Sequence, residues 1–233
     1  MTEAIDSSCG WLALVGGGEW QPGCSFDAAL LVASGAEEVV VLPTAAAFER
    51  PDAAVATATR WFAALGAAVR PCPILTRRDA DDAFLVAMLR NARFLAVSGG
   101  SPMHLRGVLK GSAAWDALVS AWRDGCVLSA SSAGAMVLGD PMIDPRGGAF
   151  TLGLGLLPGL AVLAHADTWG EERMRRTRKL AGVHLMLASI AERTALLRSP
   201  DGTWSVAGEG TVTLHEGGTT VGIDVLRERY ASV

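Results

Sequence analysis

The sequence predicts an α/β protein with a doubly wound, mostly parallel sheet flanked by helices and a small β-rich extension toward the C-terminus. Short apolar runs are continuous rather than alternating, as expected for parallel strands covered on both faces. Longer Ala/Leu-rich segments with helical spacing separate these runs, which gives the βαβ rhythm of a doubly wound sheet. The length of 233 residues, half of them hydrophobic, fits a single domain over 1–233.

Strands and helices follow each other in turn through the first half. Strands are predicted at the apolar runs 11–15, 39–42, 69–74, 94–97 and 126–128. Helices are predicted between them, over about 26–35, 52–65, 80–90 and 102–123. After residue 140 the chain becomes rich in Gly and Pro, with a helix around 169–181 and β-like pieces near 188–197, 203–206 and 211–214. This second half is expected to complete the fold.

Composition and charge exclude several classes of function. A net charge of −4 carries no general electrostatic footprint of a nucleic-acid or membrane-surface binder. The acidic segment 1–6 and the lack of an apolar stretch of about 18 uncharged residues predict a cytoplasmic protein without a membrane span. The four cysteines form no CxxC pair and have no His at ligand spacing, so we expect neither a metal site nor a disulfide framework. They are Cys9, Cys24, Cys72 and Cys126.

Three turns follow predicted strands, at the edge where open α/β sheets bind ligands. They are Gly16-Gly17-Gly18-Glu19, Ser98-Gly99-Gly100-Ser101 and Ala130-Ser131-Ser132-Ala133-Gly134-Ala135. The first does not fit GxGxxG, because Gln21 stands at the sixth position from Gly16. We therefore expect no dinucleotide cofactor there, and interpret the turn as a tight bend or a pocket wall.

The third turn has the pattern of a nucleophile elbow. Ser132 lies between a strand end and a helix start among small residues, where a strained turn exposes Oγ and the helix N-terminus favours a developing anion. The pattern alone leaves a second interpretation open, in which Ser131 or Ser132 is simply a helix N-cap.

A serine hydrolase also needs an oxyanion hole and a base. Gly99-Gly100 can bring a backbone amide close to the nucleophile without a Cβ in the way, and Ala133 would supply the second amide. His165 ends an apolar run, again at a strand-end position. The other candidate bases are His104, His184 and His215, of which His184 and His215 lack such a setting.

Taken together, these residues resemble the peptidase E and cyanophycinase family of serine peptidases, whose fold is like that of class I glutamine amidotransferases and is of the flavodoxin-like kind. The matching segments run through most of the chain and are, in order, Gly16-Gly17-Gly18, Pro43-Thr44-Ala45, Ser98-Gly99-Gly100, Ser132-Ala133-Gly134-Ala135-Met136, Gly153-Leu154-Gly155-Leu156-Leu157, His165 and Glu192-Arg193-Thr194-Ala195-Leu196.

The resemblance implies a role for each of three residues. Ser132 would be the nucleophile, His165 the general base and later acid, and Glu192 the carboxylate that orients His165, with no metal or organic cofactor. The residues themselves leave rival acids open, namely Asp140, Asp144 and Asp167. A further interpretation of Glu192 is a solvent-facing strand residue.

The chain departs from the family's pattern around the substrate. Ala130 stands where the elbow usually begins with Gly, Ser101-Pro102 follows the Gly-Gly pair, and Ala166-Asp167 replaces an aromatic residue after His165. The resemblance makes Gly99 and Ser101 pocket residues. Arg173 or Arg175 is a candidate ligand for a substrate carboxylate. The alternative for Arg175 is a solvated helix face, with i,i+4 ion pairs Glu171–Arg175 and Glu172–Arg176.

The leading hypothesis is a serine hydrolase that cleaves a peptide or isopeptide bond of a small substrate, next to an aspartyl residue in the family's manner. Its alternative is a catalytically silent small-molecule-binding domain of the same fold. A glutamine amidotransferase would need Cys at the elbow, whereas Cys126 lies six residues earlier. No nucleic-acid or membrane partner is expected, and the resemblance implies a homodimer.

Overall fold

The computed structural model describes residues 9–231, so the acidic segment 1–6 lies outside the described residues. The alternating elements of the first half are β1 (Leu12–Val15), α1 (Phe26–Ser34), β2 (Glu38–Leu42), α2 (Pro51–Ala64), β3 (Ala68–Pro71), α3 (Ala83–Arg90), β4 (Phe94–Val97), α4 (Pro102–Leu109), α5 (Ala113–Arg123) and β5 (Val127–Ser131). Three 3₁₀ turns lie at Thr44–Ala46, Asp79–Asp81 and Ala166–Thr168.

The second half is richer in short strands. Its elements are α6 (Ala133–Leu138), β6 (Gly139–Asp140), β7 (Met142–Ile143), β8 (Phe150–Thr151), β9 (Leu157–Pro158), β10 (Leu160–Leu163), α7 (Glu171–Ala181), β11 (Met186–Ile190), β12 (Thr194–Arg198), β13 (Trp204–Gly208), β14 (Val212–Glu216), β15 (Thr219–Val221) and α8 (Val225–Arg229).

Two sheets organise these strands. The larger has the order β13-β12-β1-β5-β4-β2-β3, in which β1 to β5 are mutually parallel and β12 and β13 add an antiparallel edge. The smaller has the order β10-β11-β14-β15, with β10 and β11 parallel. The predicted mostly parallel α/β sheet with a β-rich C-terminal part is therefore confirmed.

The core covers both faces of the large sheet. Every residue of β1 and β4 is buried, since helices pack on both sides of these strands. One cluster of buried apolar residues lies on one face and continues into the small sheet through Val162 and Ala188, while Phe26 and Phe62 belong to the cluster on the other face. Within the described part of the chain, no helix combines the length and apolar character needed to cross a membrane.

Two predicted elements prove to be divided. The predicted helix 102–123 is two helices, because Gly111 takes a left-handed φ of 64° and the Ser112 side chain then caps α5 by accepting from the amide of Trp115. The predicted strand 188–197 is also wrong as a single element. Its two parts, β11 and β12, belong to different sheets, and residues 191–193 form the crossover between them.

Asp27 on α1 is a buried carboxyl, only 2% exposed, whose oxygen accepts a hydrogen bond of 2.9 Å from Nε1 of Trp61. Burial raises the pKa of Asp27 to about 7, and the nearby carboxylate of Glu19 acts in the same direction. The folded state therefore holds a proton, between about pH 4 and 7, that the unfolded state has released. Protonated Asp27 therefore stabilises the folded state. This stabilisation is complete below the pKa of the unfolded state and is lost as the pH rises through 7.

We expect this group to lower the free energy of unfolding by roughly 2–3 kcal/mol between pH 5 and pH 8. Asp27→Asn keeps an acceptor for Trp61 but does not titrate, so the variant should lose this part of the pH dependence in urea unfolding curves. Asp52→Asn, at an exposed position of α2, is the matched control and should keep the wild-type slope. An unchanged slope in Asp27→Asn would contradict the expectation.

Candidate active site

Ser132 occupies a strained turn at the carboxyl end of β5. Its backbone angles are φ 50° and ψ −110°, a conformation that side-chain-bearing residues rarely adopt. The turn is held by the Ser132 amide, which donates to the carbonyl of Val15 at the end of the adjacent strand β1. This geometry presents Oγ at the start of α6, as the elbow pattern predicts.

His165 follows β10 and reaches Ser132 from the second sheet. It too has a left-handed φ, 52°, and its amide donates a 2.7 Å hydrogen bond to the carbonyl of Gly16. Its Nε2 lies 2.8 Å from Oγ of Ser132. The first glycine turn thus ties the histidine loop to the large sheet.

Glu192 follows β11, the parallel neighbour of β10. In the register of these strands Leu163 faces Ser189, so the chain segments beyond their carboxyl ends lie side by side. Oε1 of Glu192 is 2.7 Å from Nδ1 of His165. Because a carboxylate only accepts hydrogen bonds, Nδ1 carries the proton and the lone pair of Nε2 faces the Ser132 hydroxyl.

The three rival acids make other contacts. Asp140 accepts from the amide of Gly153, and Asp144 is paired with Arg146, whose hydrogen bonds lower the Asp144 pKa to about 2. Asp167 accepts a 3.0 Å hydrogen bond from the amide of Glu192. Asp167 therefore helps to hold the segment that carries Glu192.

Two backbone amides near Ser132 have no protein partner. Within residues 9–231, the amides of Gly100 and Ala133 donate to no protein acceptor. A Cβ on Gly100 would lie 2.3 Å from the carbonyl oxygen of Ala45, and φ at Gly100 is 135°, so only glycine fits this approach. The amide of Gly99 is already used, since it donates to Glu19.

Gly17 provides the space in which the His165 ring lies. A Cβ on Gly17 would be 2.2 Å from Cε1 of His165, and φ at Gly17 is 115°. We expect Gly17→Ala to displace the imidazole and to slow any reaction at Ser132 by at least about tenfold, because a 1 Å misplacement of a reacting group can cost up to 100-fold. The measurement is the rate of covalent labelling of Ser132.

Gly66→Ala is the matched control for Gly17→Ala. Gly66 has a similar left-handed φ of 91°, but a Cβ there meets no atom within 4 Å. This variant introduces backbone strain without touching the histidine, so it should lower stability and leave the labelling rate unchanged. Equal rates in Gly17→Ala and wild type would show that the ring does not depend on this clearance.

A cleft of about 500 Å³ opens beside these groups. The lining residues come from five segments of the chain, those that follow β1, β2, β4, β5 and β10, and are Glu19, Ala46, Glu49, Arg50, Ala54, Gly99, Gly100, Ser132 and His165. Sequence reasoning named Glu19 only as part of the first glycine turn and missed Glu49 and Arg50. A second cleft of about 540 Å³, lined by Glu38, Arg70 and Phe84 among others, lies near the amino ends of β2 and β4, the opposite edge from Ser132.

Other predicted residues lie elsewhere. The Ser101 side chain is the N-cap of α4 and accepts from the amide of His104, and Nε2 of His104 lies 2.9 Å from the Leu75 carbonyl oxygen. Arg175 is exposed on α7 and does not line the cleft beside Ser132. The predicted ion pairs Glu171–Arg175 and Glu172–Arg176 do not form within the described residues. All four side chains are exposed to solvent.

Rare left-handed backbone angles are concentrated around Ser132 and His165. Within residues 9–231, the non-glycine residues with left-handed φ are Trp20, Ser132, His165 and Arg193. Two of them are the hydrogen-bonded Ser–His pair, and the other two directly follow Glu19 and Glu192. Each such residue costs on the order of 1–3 kcal/mol, and strain of this kind concentrates at functional sites.

The described residues around Ser132 provide neither a metal-binding cluster nor a thiol nucleophile. The described residues contain no group of three or more His, Cys, Asp or Glu side chains arranged to hold a metal ion. Cys126 is buried immediately before β5, and burial raises the pKa of its thiol to about 12. It therefore cannot serve as the elbow nucleophile of an amidotransferase.

Comparisons with known proteins show which family this chain resembles. A family model described as peptidase family S51 matches residues 12–203. Cyanophycinases from Synechococcus elongatus and Thermosynechococcus vestitus are each 29% identical to this chain over 198 residues, covering 78% of this chain and 60% of the relative. The chain thus spans about 60% of the length of these curated relatives.

Two solved structures share the fold. A peptidase from an acI-B1 actinobacterium superposes with a TM-score of 0.79 at 27% identity, over 91% of this chain and 96% of that one. A protein of Listeria monocytogenes EGD-e described as a candidate peptidase E superposes with a TM-score of 0.63 at 16% identity, over 89% and 98% of the two chains. The second likeness concerns the fold alone.

Proposed function

This chain belongs to peptidase family S51, and from that premise we propose that it is a serine peptidase in which Ser132, His165 and Glu192 form the catalytic triad. The observation that carries the proposal is the continuous relay of two short hydrogen bonds. Oγ of Ser132 lies 2.8 Å from Nε2 of His165, and Nδ1 of His165 lies 2.7 Å from Oε1 of Glu192. This is the geometry of an activated nucleophile with an oriented base.

Acylation would proceed by attack of Oγ of Ser132 on the substrate's carbonyl carbon while Nε2 of His165 takes the hydroxyl proton. The negative charge that develops on the carbonyl oxygen would be bound by the amides of Gly100 and Ala133. Protonated Nε2 then gives its proton to the leaving nitrogen, the C–N bond breaks, and the acyl group remains on Ser132 as an ester. Glu192 stabilises the imidazolium throughout.

Deacylation would repeat these steps with water. His165 takes a proton from the water molecule, and the hydroxide attacks the ester carbonyl. As the second tetrahedral intermediate collapses, the C–Oγ bond breaks and Nε2 of His165 gives its proton to Oγ, which leaves a carboxylic acid and free Ser132. The cleft beside Ser132 is open enough to admit this water, since the side chains of His165 and Glu192 are 36% and 31% exposed.

For the substrate we propose a small peptide or isopeptide with an aspartyl residue beside the scissile bond. Arg50 supports this proposal, because it lines the cleft and its guanidinium forms no ion pair within the described residues. A free guanidinium is suited to bind a carboxylate in bidentate fashion. Arg50 therefore replaces Arg175 as the candidate ligand for a substrate carboxylate.

The test is covalent labelling with a fluorophosphonate, followed by intact-mass measurement and peptide mapping. We expect one adduct per chain, located on Ser132, and no adduct on heat-unfolded protein, because only the assembled relay activates the hydroxyl. A library of aspartyl dipeptides and isopeptides then identifies the substrate. A folded protein that binds library members without labelling or turnover would instead be a silent binding domain.

A further inference from the structure

The carboxylate of Glu19 joins the two loops that meet at the cleft. Its Oε1 accepts a hydrogen bond of 2.8 Å from the amide of Gly99, and its Oε2 accepts one of 2.8 Å from the hydroxyl of Ser131. These two partners stand at the carboxyl ends of the neighbouring strands β4 and β5. One side chain from a third loop, the one after β1, therefore bridges both.

Each contact lies just before the groups that would act on the substrate. Gly99 precedes Gly100, which offers one oxyanion amide, and Ser131 precedes Ser132 and Ala133, which offer the nucleophile and the other amide. A developing oxyanion needs both amides at about 2.7–3.1 Å from the same atom. The two loops must therefore keep their relative position closely, and a bidentate acceptor between them does this.

The carboxylate of Glu19 and the side chain of Ser132 both pack closely against Gly99. A Cβ built on Gly99 would be 3.2 Å from Oε1 of Glu19 and 3.2 Å from Cβ of Ser132. A side chain at Gly99 would therefore crowd both residues. Both hydrogen bonds of the bridge measure 2.8 Å, so both loops are held close to this side chain.

We propose that Glu19 is a positioning residue that holds the amides of Gly100 and Ala133 in register for the oxyanion. The inference rests on the proposed function, because it assumes that Ser132 attacks a carbonyl group. Glu19 itself exchanges no proton with the substrate and forms no bond to it. Its effect passes through its hydrogen bonds to Gly99 and Ser131.

The test compares three substitutions of Glu19 in the full chain by the rate of fluorophosphonate labelling, by kcat and KM, and by thermal unfolding. Glu19→Ala removes both acceptors, so labelling and kcat should fall about 10- to 100-fold while KM changes little. Glu19→Asp is one methylene too short to reach both loops and should be comparably slow. Glu19→Gln should recover most of the rate, because its oxygen accepts from Gly99 and its amide group donates to Ser131.

Asp82→Ala is the matched control. Asp82 also accepts two backbone hydrogen bonds, from Phe84 and Leu85, but it caps α3 and does not line the cleft beside Ser132. Its loss should lower the unfolding temperature without changing the labelling rate. A structural role alone at Glu19 would produce the same result as Asp82→Ala.

The outcomes separate the two claims. A wild type that does not label would overturn the proposed function and this inference with it. A labelled wild type with an equally fast Glu19→Ala variant would overturn the positioning role alone. Glu19→Gln as slow as Glu19→Ala would also overturn it, since the negative charge rather than the pair of hydrogen bonds would then matter.

Discussion

Ser132→Ala should abolish both peptide turnover and fluorophosphonate labelling. In the proposed mechanism Oγ of Ser132 forms the ester. The neighbouring hydroxyl of Ser131 donates to Glu19, so we do not expect it to take over this role. Loss of the nucleophile in other triad enzymes removes most of the catalysis, so kcat should fall by at least about 10⁴-fold. Intact-mass and steady-state measurements on the same preparations check this.

Ser205→Ala is the control for Ser132→Ala. Ser205 is exposed on β13, with no histidine to activate it, so its replacement should leave both the adduct and kcat unchanged. Circular dichroism should show the same fold in both variants. An adduct that persists in Ser132→Ala, or turnover close to that of the wild type, would show that the reactive group lies elsewhere in the chain.

The large sheet could be predicted because its central strands are buried on both faces. Apolar runs such as Leu12–Val15 and Phe94–Val97 leave little choice of element when helical segments separate them. The predicted end of β5 falls short, at 128 instead of 131, because Ser129 and Ser131 are polar and yet buried. That burial follows from tertiary contacts, which the local pattern does not contain.

The connection between β11 and β12 could not be predicted for a different reason. The β-like pattern continues through Ile190, Ala191, Thr194 and Ala195, so the sequence predicts a single strand. The chain leaves the small sheet because Arg193 adopts a left-handed φ of 53° and donates its amide to the carbonyl of Gly17. Arginine gives no local signal for that conformation, which is imposed by the packing of the two sheets.

The sequence predicts no individual role for Glu19, because its hydrogen-bond partners lie far away along the chain. Gly99 and Ser131 lie 80 and 112 residues further along the chain, and no spacing rule connects them to a glutamate after a glycine turn. The triad residues were easier to find, since each stands in a segment that matches the family's pattern. The resemblance thus pointed to the proposed triad, whereas the contacts of Glu19 are visible only in the folded chain.

Glu192→Gln should lower kcat roughly 10²- to 10⁴-fold while the fold is retained. The substitution removes the negative charge that stabilises the imidazolium, and the amide can also donate to Nδ1 and so favour the wrong tautomer of His165. Because the His165 and Glu192 side chains are about one-third exposed, water screens part of the effect, and the lower half of this range is expected. Steady-state kinetics at saturating substrate measure it.

The rival acids provide the controls that make this result specific. Asp140→Asn and Asp144→Asn alter carboxyls that bind the Gly153 amide and Arg146, so kcat should change by no more than about threefold. Asp167→Asn keeps an oxygen acceptor for the Glu192 amide and should have a smaller effect than Glu192→Gln. If Asp167→Asn were instead the slowest variant and Glu192→Gln were near wild type, Asp167 would be the triad acid. The contact between Asp167 and the amide of Glu192 would then be incidental to catalysis.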